Sequence, residues 1–182
     1  TDQTNPLLHD FDLPEYSAIR PEHIEPAIDT ILADSRAAIE QILSQTAQHT
    51  WESLVLPMDE LGARLGEAWS PVSHLNAVCN SPELRVAYEA CLPKLSDFDT
   101  ELGQNRALFD AYQALANSPA AAQFSTAQKT ILADELRDFR LSGIDLAPEQ
   151  QKRYGEIQMR LSDLSSSFSN NLLDATQAWT KH

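Results

Sequence analysis

The sequence predicts an all-α fold, an antiparallel array of long helices, on three observations. Glycine is rare, with five in 182 residues. Apolar residues recur at spacings of three and four along most of the chain, the pattern of helices with one buried face. Ser, Thr and Pro stand where such helices would start, and no segment alternates apolar and polar residues as a half-buried strand does. Hydrophobic residues make up 42% of the chain. That is enough for a core and too many for a disordered tail. The length suits one domain, or one large lobe of a bigger protein.

Residues 1–20 read as an extended strap. Pro6 and Pro14 interrupt it and Pro21 closes it, while Leu7, Leu8, Phe11, Leu13, Tyr16 and Ile19 are apolar. Such a segment is ordered by lying on a helical body, not by a ladder of its own. Residues 21–182 form the helical part. Its first helix runs from about Glu22 to Gln48, with Ile24, Ile28, Ile31, Leu32, Ser35, Ile39, Ile42 and Leu43 on one stripe. Pro26 belongs in the first turn, where its missing N–H costs little.

Thr50 can cap a second helix, which Pro57 should kink or restart. Met58, Leu61, Leu65, Ala68, Trp69 and Val72 carry its apolar face, and Pro71 is expected to bend its far end. Ser81-Pro82-Glu83 is a start signal of cap, first-turn proline and first-turn acid. The helix after it holds Leu84, Tyr88, Cys91, Leu95, Phe98 and Leu102, with Pro93 inside as a predicted kink. Gly103-Gln104-Asn105 marks a short break before the helix of Leu108, Phe109, Tyr112 and Leu115.

Ser125 and Gln128 fit a capping box, and Ser142-Gly143 stops the helix that follows. The last helix opens at Ala147-Pro148-Glu149. Ile157, Leu161, Leu164, Phe168, Leu172, Ala175 and Trp179 form a nearly straight stripe along it. The Ser-rich stretch from Ser165 to Asn171 lies inside this period. It therefore reads as helix whose small residues face a close neighbour, not as linker. No stop signal follows Trp179, which predicts that the helix belongs to a longer protein, with His182 a native residue or the edge of a tag.

The formal net charge is −14, and residues 1–60 hold twelve acids against two bases. Phosphate backbones and anionic lipids need Lys and Arg, so nucleic acid and membrane are poor partners. No apolar run reaches the length of a membrane span, and Thr1 to Pro6 lack the regions of a signal peptide. Cys79 and Cys91 make neither a Cys-x-x-Cys motif nor a disulfide framework, and both fall on predicted apolar faces. Two buried, inert thiols in a reducing cytoplasm are the expectation.

Site chemistry is sparse. None of the five histidines has a second His at i+4, so no His-Glu-x-x-His zinc helix exists. Glu22-His23-Ile24-Glu25 puts two carboxylates beside an imidazole, which is also how an ordinary acidic first turn looks. Ser73 and His74, near Asp59 or Glu60, hint at a triad, but adjacent helical residues point apart. The five glycines form no phosphate loop, and Trp51, Trp69 and Trp179 are placed for packing. Catalytic, cofactor-binding and metal-binding residues are accordingly expected to be none.

Several stretches carry a resemblance. They are Asn5-Pro6-Leu7-Leu8, Thr50-Trp51-Glu52, Ser70-Pro71-Val72-Ser73-His74-Leu75-Asn76 and Asn80-Ser81-Pro82-Glu83-Leu84-Arg85. Further on come Leu136-Arg137-Asp138-Phe139, Leu141-Ser142-Gly143-Ile144, Gln151-Lys152-Arg153-Tyr154-Gly155-Glu156-Ile157 and Ser169-Asn170-Asn171-Leu172-Leu173-Asp174-Ala175-Thr176. From residue 5 to about residue 181 they resemble, in order, the N-terminal part of bacterial members of the thimet-oligopeptidase family of zinc metallopeptidases. The likeness is to the oligopeptidase branch more than to the dipeptidase branch.

That resemblance implies an N-terminal helical lobe walling a deep channel in which short peptides are hydrolysed. It implies a parent cofactor, zinc, held by a His-Glu-x-x-His helix and a downstream Glu, all C-terminal to the residues here. The chain alone would then be inactive, its partners being the C-terminal catalytic lobe and, through the whole enzyme, short peptides. An apolar stripe left open by the missing lobe would favour self-association. Without the resemblance, the same sequence reads as a stand-alone helical interaction or scaffold module, dimeric through the 157–179 stripe.

Overall fold

The computed structural model describes residues 5–9, 13–45 and 48–179. A 3₁₀ turn, Pro6–Leu8, precedes helix α1, Pro21–Gln45. A π-helical turn, Trp51–Val55, leads into α2, Leu56–Val78. Then come α3, Pro82–Gly103, and α4, Arg106–Ala116. A second 3₁₀ turn, Pro119–Gln123, precedes α5, Thr126–Leu141, and α6 spans Pro148–Ala178. Among the described residues there are six α-helices and no strand, the all-α class read from the sequence.

The starts are fixed by the residues expected to fix them. Thr50 and Ser53 exchange side-chain and backbone hydrogen bonds, as do Ser125 and Gln128. The Ser81 hydroxyl accepts the Leu84 N–H. Asn105, within the expected break, caps α4 by accepting the Leu108 N–H. Each such cap contributes about 1 kcal/mol. Pro57 does restart the second helix. The chain first makes one π-helical turn, closed by the Leu56 N–H on the Trp51 carbonyl, and Pro57 then falls in the first turn of α2. Pro71 and Pro93 lie inside α2 and α3 without ending them.

Two cores result, and α1 joins them. In the first, Ile24, Ile28 and Ile31 of α1 pack with Val72 of α2 and with Cys91 and Phe98 of α3. In the second, Ile42 at the far end of α1 meets Leu54 and Val55 of the π turn, Leu108 and Tyr112 of α4, and Phe139 of α5. Every position of the expected α1 stripe is buried except half-buried Leu43. Polar clamps reinforce the layers: Lys94 on α3 bridges Glu25 and Asp29 of α1, and Arg36 reaches Glu101.

The strap differs from its expectation. Leu7 and Ile19 are buried, and Asn5 ties the first turn down by donating to the His23 carbonyl at 2.7 Å. Leu13, by contrast, is 80% exposed, and Tyr16 is exposed as well. The segment is therefore pinned at its two ends and includes turns as well as extended residues; Phe11 lies outside the described residues. His182 does too.

Helix α6 packs by an unusual face. None of its residues is buried. Its half-buried positions are Gln151, Tyr154, Gly155, Gln158, Ser162, Ser166, Asn170 and Leu173, a mostly small or polar stripe. This face lies on α3: a Cβ at Gly155 would stand 3.5 Å from Thr100 Cγ2. Of the Ser-rich stretch from Ser165 to Asn171, Ser166 and Asn170 turn towards this neighbour, while Ser165, Ser167 and Ser169 are exposed. The apolar stripe points the other way, with Ile157, Leu161, Leu164, Phe168 and Leu172 all exposed. The helix ends at Ala178, and Trp179 takes an extended conformation, not another helical turn.

Candidate functional site

The sequence-level candidates do not assemble. The His23 ring accepts the Arg20 N–H through Nδ1 at 3.1 Å, a local turn contact. Its neighbour Glu25 is held by Lys94 at 2.8 Å. The His74 ring sits 5.5 Å from the Tyr16 ring, and no hydrogen bond links it to Ser73, Asp59 or Glu60. Among the described residues, no three His, Cys, Asp or Glu side chains gather as a metal site.

The two thiols part company. Cys91 is buried in the first core, and its burial pushes the thiol up to about 11, against the lowering pull of Lys94. Cys79 is exposed, contrary to the expectation of two buried thiols. It falls one residue beyond the end of α2, in a non-helical conformation. The helical period that placed it on an apolar face no longer applies there.

A cleft of about 420 Å³ opens between α3 and α6. Trp69 of α2 forms one side and is stacked on Tyr88, with ring centroids 4.8 Å apart. Ser96, Asp99 and Thr100 project from α3; Tyr154, Gln158 and Ser162 come from α6. Asp99 is exposed and has no ion-pair or hydrogen-bond partner among the described residues; the atoms crowding the cleft partly desolvate its carboxyl and raise it above the ordinary range. Sequence reading missed this cleft. It depends on which faces of α3 and α6 meet, and the meeting face of α6 is its polar one.

Below the cleft, α6 is latched to α3 by charge. Both nitrogens of the Arg85 guanidinium fork grip Asp174, at 3.0 and 2.7 Å, and Arg85 also donates to Asn80 Oδ1. The pair is visible in the carboxylate, whose pKa is lowered first by the Arg85 hydrogen bond. Asn170 donates to Glu89 nearby. Beyond the latch, the outer face of α6 carries Phe168 at 70% exposure, and Trp179, just past the helix end, is 71% exposed. An apolar row that long on one helix is the kind of surface that proteins cover with something.

Six α-helices and no strand among the described residues, with one helix presenting an uncovered apolar face, define an all-α domain. The chain belongs to a family of that class: residues 28–151 match the model of the neurolysin/thimet oligopeptidase N-terminal domain. Particular relatives are close. Oligopeptidase A of Haemophilus influenzae is 54% identical over 178 residues, covering 98% of this chain and 26% of the relative. Oligopeptidase A of Escherichia coli is 52% identical with the same coverage. A probable cytosolic oligopeptidase A of Arabidopsis thaliana is 34% identical over 98% of this chain. The chain thus spans 26% of the length of the bacterial relatives it matches.

Proposed function

We propose that these residues are the non-catalytic N-terminal lobe of an oligopeptidase A-like zinc metallopeptidase that hydrolyses short peptides within an internal channel. The carrying observation is the inverted packing of α6, which lays polar and small residues on α3 and leaves its apolar row uncovered. A helix so arranged has a second partner. The lobe's own work is to wall the channel and narrow its mouth, so that short unstructured chains enter and folded proteins do not. The division proposed is a strap over residues 1–20 and a helical lobe over 21–182, in a cytoplasmic enzyme.

Zinc is the metal that the family implies, and the described residues do not fit it, since no three suitable ligands converge. In this reading metal, general base and scissile bond lie outside these residues, and no chemical step is derived through them. The test is a paired assay. The chain alone and the chain joined to its downstream reading frame are each given a quenched short peptide. Cleavage that needs zinc is expected only from the longer protein; zinc-dependent cleavage by the 182 residues alone overturns the reading.

The exposed α6 row also favours a second reading, a stand-alone helical scaffold that pairs through that row. A His-Glu-x-x-His motif in the downstream frame removes this reading; a native stop codon directly after His182 supports it.

A further inference from the structure

The α3–α6 cleft has the composition of a cation site. Its lining includes one carboxylate, Asp99, and no Lys, Arg or His. The lining also includes the hydroxyls of Ser96, Thr100, Tyr154 and Ser162 and the amide of Gln158, all able to accept a hydrogen bond from an N–H donor, and the apolar side chains of Leu92, Leu95 and Leu161. Trp69 supplies an aromatic wall, and a cation near an indole is held by the ring quadrupole. Some acids on α3 and α6 pair with bases, as Asp174 does with Arg85 and Glu156 with Arg153, and others such as Asp97 and Asp163 do not; Asp99 is the one that lines the cleft. Asp99 has no basic partner among the described residues, although it faces a space of about 420 Å³.

The ligand class follows by elimination. An anion is opposed by Asp99 and meets no basic group. A divalent metal ion needs six or more oxygens with several charges, and one carboxylate among neutral groups is a poor host. The volume suits one long side chain or a short stretch of peptide, at the small end of ligand pockets, and excludes a folded domain. The strongly acidic surface, net −14, adds a field that draws cations in.

We propose that this cleft is a subsite for a cationic group on a short peptide, a guanidinium or an ammonium, with Asp99 as its counter-charge. Asp99 accepts the charged N–H donors, the hydroxyls take those left over, and Trp69 covers the apolar stem. The word peptide rests on the peptidase reading above; the cation preference does not.

The test uses the 182-residue chain labelled with ¹⁵N. N-acetyl-arginine amide supplies a guanidinium, alanine amide an ammonium, and N-acetyl-citrulline amide is the neutral isostere of the first. Millimolar binding of the arginine ligand is expected, with amide shifts centred on Asp99, Thr100 and Tyr154, and at least about tenfold weaker binding of the citrulline ligand. The alanine arm distinguishes a side-chain subsite from an amino-terminus subsite, and cation-dependent shifts at these residues from either ligand support the proposal. Asp99→Asn should lose about tenfold in affinity, while Asp163→Asn, at an acid outside the lining, should bind as the parent does. Ser162→Leu, which fills the cleft from α6, gives a second loss variant. Equal binding by Asp99→Asn, equal binding of citrulline, or shifts confined to other surfaces overturn the proposal. If cationic ligands bind here but the joined protein cuts no peptide, the peptidase reading fails and the cation subsite stands.

Discussion

Single residues divide by which side of the core they face. Cys91 is buried with its thiol pushed up to about 11, whereas Cys79 is exposed beyond α2. Since the thiolate is the reactive form, iodoacetamide on the native chain should label Cys79 alone. A rate difference of at least about a hundredfold is expected, read by peptide mapping before and after unfolding. Ile28 is fully buried, so Ile28→Ala should cost about 2–5 kcal/mol in urea unfolding. Leu172→Ala, on the open row, should stay within about 0.5 kcal/mol.

Asp99 gives a pH signature at the same scale. The residue is exposed, but crowding at the cleft partly desolvates its carboxyl and raises it, so the folded chain holds the proton somewhat more tightly than the unfolded chain does. Stability therefore falls as pH rises from the unfolded value, about 3.9, through the folded one. Asp99→Asn removes that loss. The variant should unfold at higher urea than the parent at pH 7, and the gap should close near pH 3. A gap of the same size at both pH values would show that the charge is not its cause.

At the scale of elements, local chemistry decided what could be read. Helix starts were legible because a cap is a contact between residues three apart, as in Thr50 with Ser53 and Ser125 with Gln128. The α1 stripe was legible because eight positions repeat with one period. The π turn before α2 was not. The proline signalled a restart but did not say how the preceding carbonyls would find donors. The cleft was not legible either, because it depends on α6 meeting α3 by its mostly polar and small face, and periodicity reports only apolar faces. Gly143 was read as a stop and adopts φ +87°, a left-handed conformation. A Cβ there would also stand 2.8 Å from Leu146 Cδ1. Gly143→Ala should therefore lower stability by about 1 kcal/mol or more, with the loss read in thermal unfolding.

On the scale of the whole molecule, the question is what α6 holds and what holds it. Its inner face is joined to α3 by small side chains and by surface charge pairs such as Arg85 with Asp174. Its outer face presents Ile157, Leu161, Leu164, Phe168 and Leu172 to water. Hydrophobic burial therefore does little to anchor the helix to its own domain, while its outer row gains most from a partner. Placed in solution without one, the 182-residue chain should associate with itself through that row. Sedimentation at increasing concentration should show a monomer giving way to larger species. Leu164→Glu with Phe168→Glu should restore the monomer without changing helix content, because both positions are exposed and charges on this row oppose apolar contact. Salt separates the two faces. Raising it screens the Arg85–Asp174 latch and leaves apolar association undiminished, so self-association that weakens with salt would place the contact elsewhere.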